Sequence, residues 1–485
     1  MRLKIIYPTH KGNPKAMGAT VPYVLPYLAA ITPKGIDVEL VNMLREKIDY
    51  NDAPDIAAIS VKTPMADESY MIADRFREKG AKVVLGGHHT SAMPIEAAGH
   101  ADAIFIGEAE ETWPRFLKDL KEGRAKKFYV AGPYYDTKGL PKEDVYIAMA
   151  RPDLSKGAPF ARRDLLKSRY LFDSIVSTRG CPYACKFCGT TGFYGNKVRH
   201  RPVDDVIDEL KTMGRFWFLG DDDIFNDLDY RHELYSRIAE KKGFNRWHGA
   251  GTLSIGYDKD GDKVLKKAAE SGLFAVFVGI ESVNELTLKE TGVTSKLRQQ
   301  TEHIDFERIK SAIKKIQSYG ILVIGFFVLG FDTDTEDTFD KTLAFCDETG
   351  VIPIPFLLVP LPGTGLWDEY KGRLYHSNSW ENWDACHSLY KHPKIGQKEM
   401  EGLLYKLRKS AYTYNRIMKR SRPGSLGTMI AGLSMQMGLR NTFEADWRRV
   451  RVRAYGLRRN PNRLWNRRAY SSESSCKGRL FNPYY

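Results

Sequence analysis

Short β-branched runs at 3–7, 38–41, 56–61 and 83–85, and a fifth apolar run at 103–106, alternate with longer stretches of helical character through the first 125 residues. Strands joined through helices predict an α/β domain built on a doubly wound, Rossmann-like parallel sheet. A ligand of such a sheet sits at the carboxyl ends of the strands. The loops there read Pro8-Thr-His-Lys-Gly-Asn13, Lys62-Thr-Pro-Met65, Gly86-Gly-His-His-Thr90 and Gly107-Glu-Ala-Glu110. Glycines in these loops predict close approach of backbone to a large ligand, which makes Gly86, Gly87, Gly107 and Glu108 candidate contacts. Residues 126–168, rich in Pro, Gly and charge, are expected to be a linker. A second series follows over 169–375, with strands at 171–177, 215–219, 247–255, 275–279, 322–329 and 355–359. Between them lie helical segments such as 305–319, where Phe306, Ile309, Ile313 and Ile316 share one face. Six parallel strands with crossover helices predict a partial (β/α)6 barrel whose chemistry gathers at the strand carboxyl ends. Residues 376–485 read as a helical region ending in a basic tail.

The chain has 485 residues, 42% hydrophobic and 28% charged, enough for two to three cores. It opens directly into a strand with no leader-like segment, and no apolar run is long enough for a membrane span. Cys346, Cys386 and Cys476 are scattered singly, which is no disulfide framework, so a reducing, cytoplasmic setting is expected. The net charge of +14 is uneven: from residue 415 onward sixteen Lys/Arg face three Asp/Glu. A near-neutral body with a basic end predicts docking on an anionic surface.

Chemistry enters with Ser177-Thr-Arg-Gly-Cys-Pro-Tyr-Ala-Cys-Lys-Phe-Cys-Gly189. A closed zinc or iron–sulfur site takes four protein ligands, and Cys181, Cys185 and Cys188 have no fourth Cys or His nearby. Three thiolates on a cubane leave one iron open. The Cys-x3-Cys-x2-Cys spacing, with Phe187 before the last Cys, resembles the signature of the radical S-adenosylmethionine (radical-SAM) superfamily. That resemblance implies a 4Fe-4S cluster on the three cysteines and S-adenosyl-L-methionine on the open iron. It also implies adenosylmethionine contacts from Phe187, from Asp222 within Asp221–Asp223, from Glu281 and Ser282 in Gly279-Ile-Glu-Ser282, and from Gly325 beside Phe326-Phe-Val-Leu329. A carboxylate directly after an apolar strand, as at Glu281, seldom serves packing alone.

Val84-Leu-Gly-Gly-His-His-Thr-Ser-Ala-Met-Pro94 together with Ala101-Asp-Ala-Ile-Phe-Ile-Gly-Glu-Ala-Glu-Glu-Thr-Trp113 is similar to the cobalamin-binding domain that precedes many radical-SAM modules. The Asp-x-His-x-x-Gly signature that supplies a lower cobalt ligand in many such domains is absent, since 42–55 holds no histidine. His88 and His89 are open to two readings, ligand-facing or backbone-bonded in a turn. Phe331–Phe339, Pro360–Leu366 and Lys371–Leu374 resemble the cobalamin-dependent enzymes that methylate hopanoid lipids. The family resemblance implies a methyltransferase acting on an unactivated carbon of a small-molecule or lipid substrate, with an external one-electron donor such as flavodoxin or ferredoxin. An oxidative cyclase using the same cofactors is the nearest alternative, and a cobalamin- or cluster-sensing protein whose tail contacts nucleic acid is another. Methylthiotransfer is disfavoured because the N-terminal domain holds no cysteine for a second cluster. The apolar segment 425–439 between arginines reads as an interfacial stretch, placing the enzyme peripherally at the inner membrane surface. The arginines with Trp447, Tyr455 and Trp465 offer an RNA contact instead, unsupported by any recognition motif. Residues 470–485 are expected to be disordered.

Overall fold

The computed structural model describes residues 1–9, 19–240, 245–297, 304–375, 379–421 and 426–455, with side chains to 446. The expectations for the loop at 8–13 beyond Thr9, for the arginines and aromatics after 446, and for the disorder of 470–485 lie outside the described residues.

Seven parallel strands form the N-terminal sheet: β1 (Arg2–Tyr7), β2 (Asp37–Asn42), β3 (Ile56–Ser60), β4 (Lys82–Gly86), β5 (Ala103–Ile106), β6 (Phe128–Val130) and β7 (Val145–Ile147), in the order β2-β1-β3-β4-β5-β6-β7. Both faces are covered, Ile5 belonging to one apolar cluster and Ile6 to the other, each with no exposed surface. This is why the central strands read as continuous apolar runs. The expected linker 126–168 is partly sheet. Phe128–Val130 pairs with β5, and Tyr129 is wholly buried against Phe105 and Phe116. Three-residue strands amid Pro and Gly give too short a pattern to register as strands.

The second body begins with β8 (Asp173–Ile175), followed by a short antiparallel pair, β9 (Thr178–Arg179) with β10 (Arg199–His200). Then come β11 (Phe216–Leu219), β12 (Arg246–Gly251), β13 (Leu273–Glu281), β14 (Leu322–Leu329) and β15 (Ile352–Leu357). The six long-range partners run parallel in the order β15-β14-β13-β12-β11-β8, an open barrel as expected. The helix Phe306–Ser318 is capped by Asp305, whose side chain accepts from Arg308 N at 3.0 Å, and buries Ile309, Ile313 and Ile316. The barrel core is aromatic. Phe277, Phe326 and Phe356 stack in sequence at 5.7 Å, each from a neighbouring strand.

That core is completed by the C-terminal helix Leu426–Tyr455, through Met435, Leu439 and Phe443. Within the 425–439 stretch, Met435 and Leu439 pack on the protein's own barrel, while Leu426 and Ile430 on the first turns of the helix are exposed. No described helix is long and apolar enough to cross a membrane.

Candidate functional site

The cysteine loop leaves the end of β8 and is fixed by its neighbours. Gly180 has φ 102°, and a Cβ there would collide with the Lys197 carbonyl oxygen, so only glycine fits. Cys181 N donates to Gly195 O at 3.2 Å and Cys188 N to Cys185 O at 3.1 Å. Cys181 and Cys185 are half-buried and Cys188 is exposed. Burial pushes the Cys181 thiol up to about 12 and the Cys185 thiol up to about 11; a bound iron ion lowers both by stabilising thiolate. Among the described residues no three His, Cys, Asp or Glu side chains converge as ligands of one ion. Thiolates of a cubane each take a different iron and need no such convergence. Cys346 lies in the core and Cys386 accepts from Arg408 at 3.2 Å, so neither offers a fourth thiolate. Among the described residues the donor set thus fits a 4Fe-4S cluster with an open iron.

The three aspartates after β11 divide their work. Asp221 is committed to structure, accepting from Ser177 N (2.6 Å), Thr178 N (3.1 Å) and Arg231 Nη1 (2.7 Å). Asp223 accepts from Phe225 N and the Thr252 hydroxyl. Asp222 accepts from Gly180 N at 2.9 Å, beside Cys181, and burial pushes its carboxyl up to about 7. Glu281 ends β13 with φ 71°, a left-handed conformation costly for a side chain with a Cβ. Its Oε1 lies 2.8 Å from Lys296 Nζ. A Cβ at Gly279 would overlap both groups, so the glycine makes room for the ion pair. Burial disfavours the Lys296 ammonium, yet the Glu281 carboxylate paired with it holds its pKa above the ordinary value.

The remaining expected contacts sit as follows. Ser282 is buried and its hydroxyl accepts from Asn284 N at 3.0 Å, closing its own turn. Gly325 has its missing side chain directed at Val351, Ile280 and Phe327 in the helix-facing core, so close sheet-to-helix packing requires a glycine there. Phe187 sits edge-on to Phe331, with ring centroids 6.4 Å apart, where the loop meets the barrel mouth.

A cavity of about 360 Å³ opens at the carboxyl ends of the N-terminal strands, facing β8, Arg179 and Gly220 of the second body. Gly86, Gly87, Gly107 and Glu108 all line it, together with Lys62 and His88. Two of the glycines are required by the chain itself. Gly87 (φ 110°) would bring a Cβ to 2.7 Å from Val61 O, and Gly107 (φ 86°) would drive one into the Tyr135 ring. The structure also separates the two histidines. His89 is buried with Nε2 3.1 Å from Tyr70 Oη and Nδ1 3.3 Å from Thr63 Oγ1, a structural role. His88 stands on the cavity wall, stacked on Phe193 at 4.0 Å. Its ring is open to the cavity, and the surrounding protein with Lys62 nearby pushes its pKa down. Behind this polar rim the cavity runs down the sheet face as an apolar slot lined by Leu28, Leu44, Ala58, Val84, Phe105 and Trp113. A flat, polar-edged macrocycle with an aromatic arm, as in cobalamin, fits that division.

Sequence reasoning left Arg179 and Lys296 without roles. Arg179 stands two residues before Cys181, an available signal; Lys296 lies in an unpatterned stretch that gives none.

Residues 175–346 match the sequence model of the Radical SAM superfamily. The chain is 29% identical over 375 residues to bacteriochlorophyllide d C-12(1)-methyltransferase of Chlorobaculum tepidum, covering 76% of each. It is 27% identical over 325 residues to hopanoid C-2 methylase of Rhodopseudomonas palustris, covering 64% of this chain and 56% of that one. Among solved structures, the radical S-adenosylmethionine methyltransferase TsrM from Kitasatospora setae, with cobalamin and a [4Fe-4S] cluster bound, superposes with a TM-score of 0.63 at 16% identity. That match covers 92% of this chain and 98% of the other, and it bears out the two-body α/β fold with C-terminal helices.

Proposed function

We propose, from the premise that residues 175–346 are a radical-SAM domain, that the chain is a cobalamin-dependent methyltransferase acting on an unactivated carbon of a small apolar molecule. One observation carries the reading: the cavity over the N-terminal strands is walled by Arg179, and the same chain reaches Cys181 two residues later. The names of the bacteriochlorophyllide and hopanoid relatives favour an apolar substrate.

When bound, the cluster with adenosylmethionine supplies one-electron cleavage that yields a hydrogen-abstracting carbon radical, and cobalamin supplies the methyl group. The protein's task is placement. Cys181, Cys185 and Cys188 hold the cluster. The Glu281–Lys296 pair and Asp222, all beside that loop, offer opposite charges to the amino, carboxylate and ribose groups of adenosylmethionine. Phe187 and Phe331 bring apolar surface to the barrel mouth and limit water there. The electron comes from an external donor such as flavodoxin or ferredoxin. The basic tail gives peripheral contact with anionic lipid.

Anaerobically reconstituted protein supplied with hydroxocobalamin, reductant, adenosylmethionine and candidate apolar substrates should form S-adenosylhomocysteine beside 5′-deoxyadenosine, with a methylated product by mass. 5′-Deoxyadenosine and an oxidised, unmethylated product would replace this reading with the cyclase. Neither nucleoside product from cluster-loaded protein would end both.

A further inference from the structure

The cavity and the cysteine loop share more than a boundary. Arg179 walls the cavity, and its backbone leads through Gly180 into Cys181. The guanidinium donates to Glu108 Oε1 at 2.8 Å and also to Glu110, both on the loop after β5. The Tyr27 and Tyr194 ring centroids lie 5.2 and 5.8 Å from its central carbon. Tyr27 Oη donates to Glu110 at 2.9 Å, and Arg199 donates to the second oxygen of Glu108 at 2.8 Å. A second grip lies past Cys188. The Phe193 ring stacks on His88, and its carbonyl accepts from Arg151 at 2.7 Å and Tyr135 at 2.5 Å. Both ends of the cysteine loop are therefore held by residues on or behind the cavity rim.

We propose that Arg179 is a positioning residue linking the two sites, so that cobalamin in the cavity and a cluster on Cys181, Cys185 and Cys188 each strengthen binding of the other. The inference rests on the proposed function. A ligand against the cavity wall fixes Arg179, Glu108 and Glu110, and through them the strand entering Cys181. A cluster on the cysteines fixes the same strand from the other side. The ordering entropy of the shared segment is lost once when both are bound and twice when each binds alone, which gives positive coupling. Reciprocity makes the coupling measurable from either ligand. Both carboxylates are held by one guanidinium nitrogen, Nη1, while the flat guanidinium lies against the Tyr27 and Tyr194 rings; a lysine ammonium, a compact point charge on a differently shaped stem, does not reproduce both contacts at once.

The test compares hydroxocobalamin binding, followed by absorbance on the full-length protein, with the cluster reconstituted and with all three motif cysteines changed to alanine. In the wild-type background the cluster-loaded protein should bind at least about fivefold tighter. In Arg179→Lys both forms should still bind, with the ratio falling below about twofold. A purely structural role would weaken both forms alike and leave the ratio unchanged, which would overturn the proposal. Should Arg179→Lys not fold, Glu110→Gln replaces it, since the guanidinium keeps Glu108; its ratio should fall by at least about half, and an unchanged ratio counts against coupling. Equal affinity of the two wild-type forms overturns the coupling alone. Absence of cobalamin from both overturns the proposed function and the coupling with it.

Discussion

Buried charge decides which residues around the cysteine loop are indispensable. Lys296 and Glu281 expose 16% and 7% of their side chains, so removing one partner strands the other in a poorly solvated place. Lys296→Met should weaken adenosylmethionine binding by about ten- to a hundredfold, the range for a lost charge-assisted hydrogen bond, while hydroxocobalamin binding persists. Equilibrium dialysis of labelled adenosylmethionine against reconstituted protein checks this, and undiminished affinity would remove Lys296 from the site. His248 gives a different kind of prediction. It lies wholly inside the barrel among Phe172, Phe218, Phe274 and Phe277, and burial pushes its pKa down to about 3. The unfolded chain binds a proton near the ordinary histidine value of about 6.5, where the folded chain does not. Stability is therefore fully present above that value and declines as pH falls toward 3, by up to about 1.4 kcal/mol per unit for this group. The melting temperature should drop between pH 7 and pH 5.5, and His248→Phe should flatten the decline. An identical slope in the variant would show that other groups set it.

At the scale of elements, the loop after β4 shows a cavity wall with a glycine that the chain's own packing requires. The glycines at 86, 87 and 107 do line the cavity, yet Gly87 is required because its left-handed φ brings it against the Val61 backbone. Gly87→Ala should cost about 1–3 kcal/mol in urea unfolding. Gly86→Ala should cost less, because its Cβ would meet only Phe105 Cβ at 3.3 Å and its φ is ordinary. Equal costs would locate the strain elsewhere. The long strands and their carboxyl-end loops were legible because apolar runs and loop composition are local signals, and so were the three cysteines. The pairing that commits Asp221 to Arg231 and Ser177, leaving Asp222 beside Gly180, was not. It depends on Arg231 of the helix Leu228–Glu240 reaching back to the end of β11, a tertiary contact that no spacing encodes. The strands β6 and β7 were missed for the opposite reason, being too short to carry a period.

For the whole molecule, the C-terminal region changes the physical picture most. The segment 425–439, with arginines at both ends, has the composition of an interfacial helix, yet Met435, Leu439 and Phe443 recur every fourth residue and form the stripe that meets the barrel. Sequence fixes that such a stripe will be covered; which surface covers it is decided by the open barrel beside it. Gln436 is fully buried with its amide donating to Ser421 Oγ at 2.8 Å, and the Arg408 guanidinium lies 4.3 Å from the Phe443 ring centroid while donating to Pro355 O. The helix is thus built into the catalytic body, whereas 456–485 lies outside the described residues and holds much of the basic excess. Two truncations separate these contributions. Ending the chain after Tyr455 should leave the melting temperature and cluster content unchanged, while binding to vesicles containing anionic lipid falls, by about 1 kcal/mol per arginine near the surface and less at high salt. Ending it after Ser421 strips the three apolar side chains from the barrel, each worth about 1.5–3 kcal/mol of burial, and should give protein that aggregates or melts well below the full chain. If the longer truncation folds as well as the shorter, the helix is an appendage and the interfacial reading of 425–439 regains its place. If the shorter one keeps full vesicle binding, the membrane contact belongs to another surface.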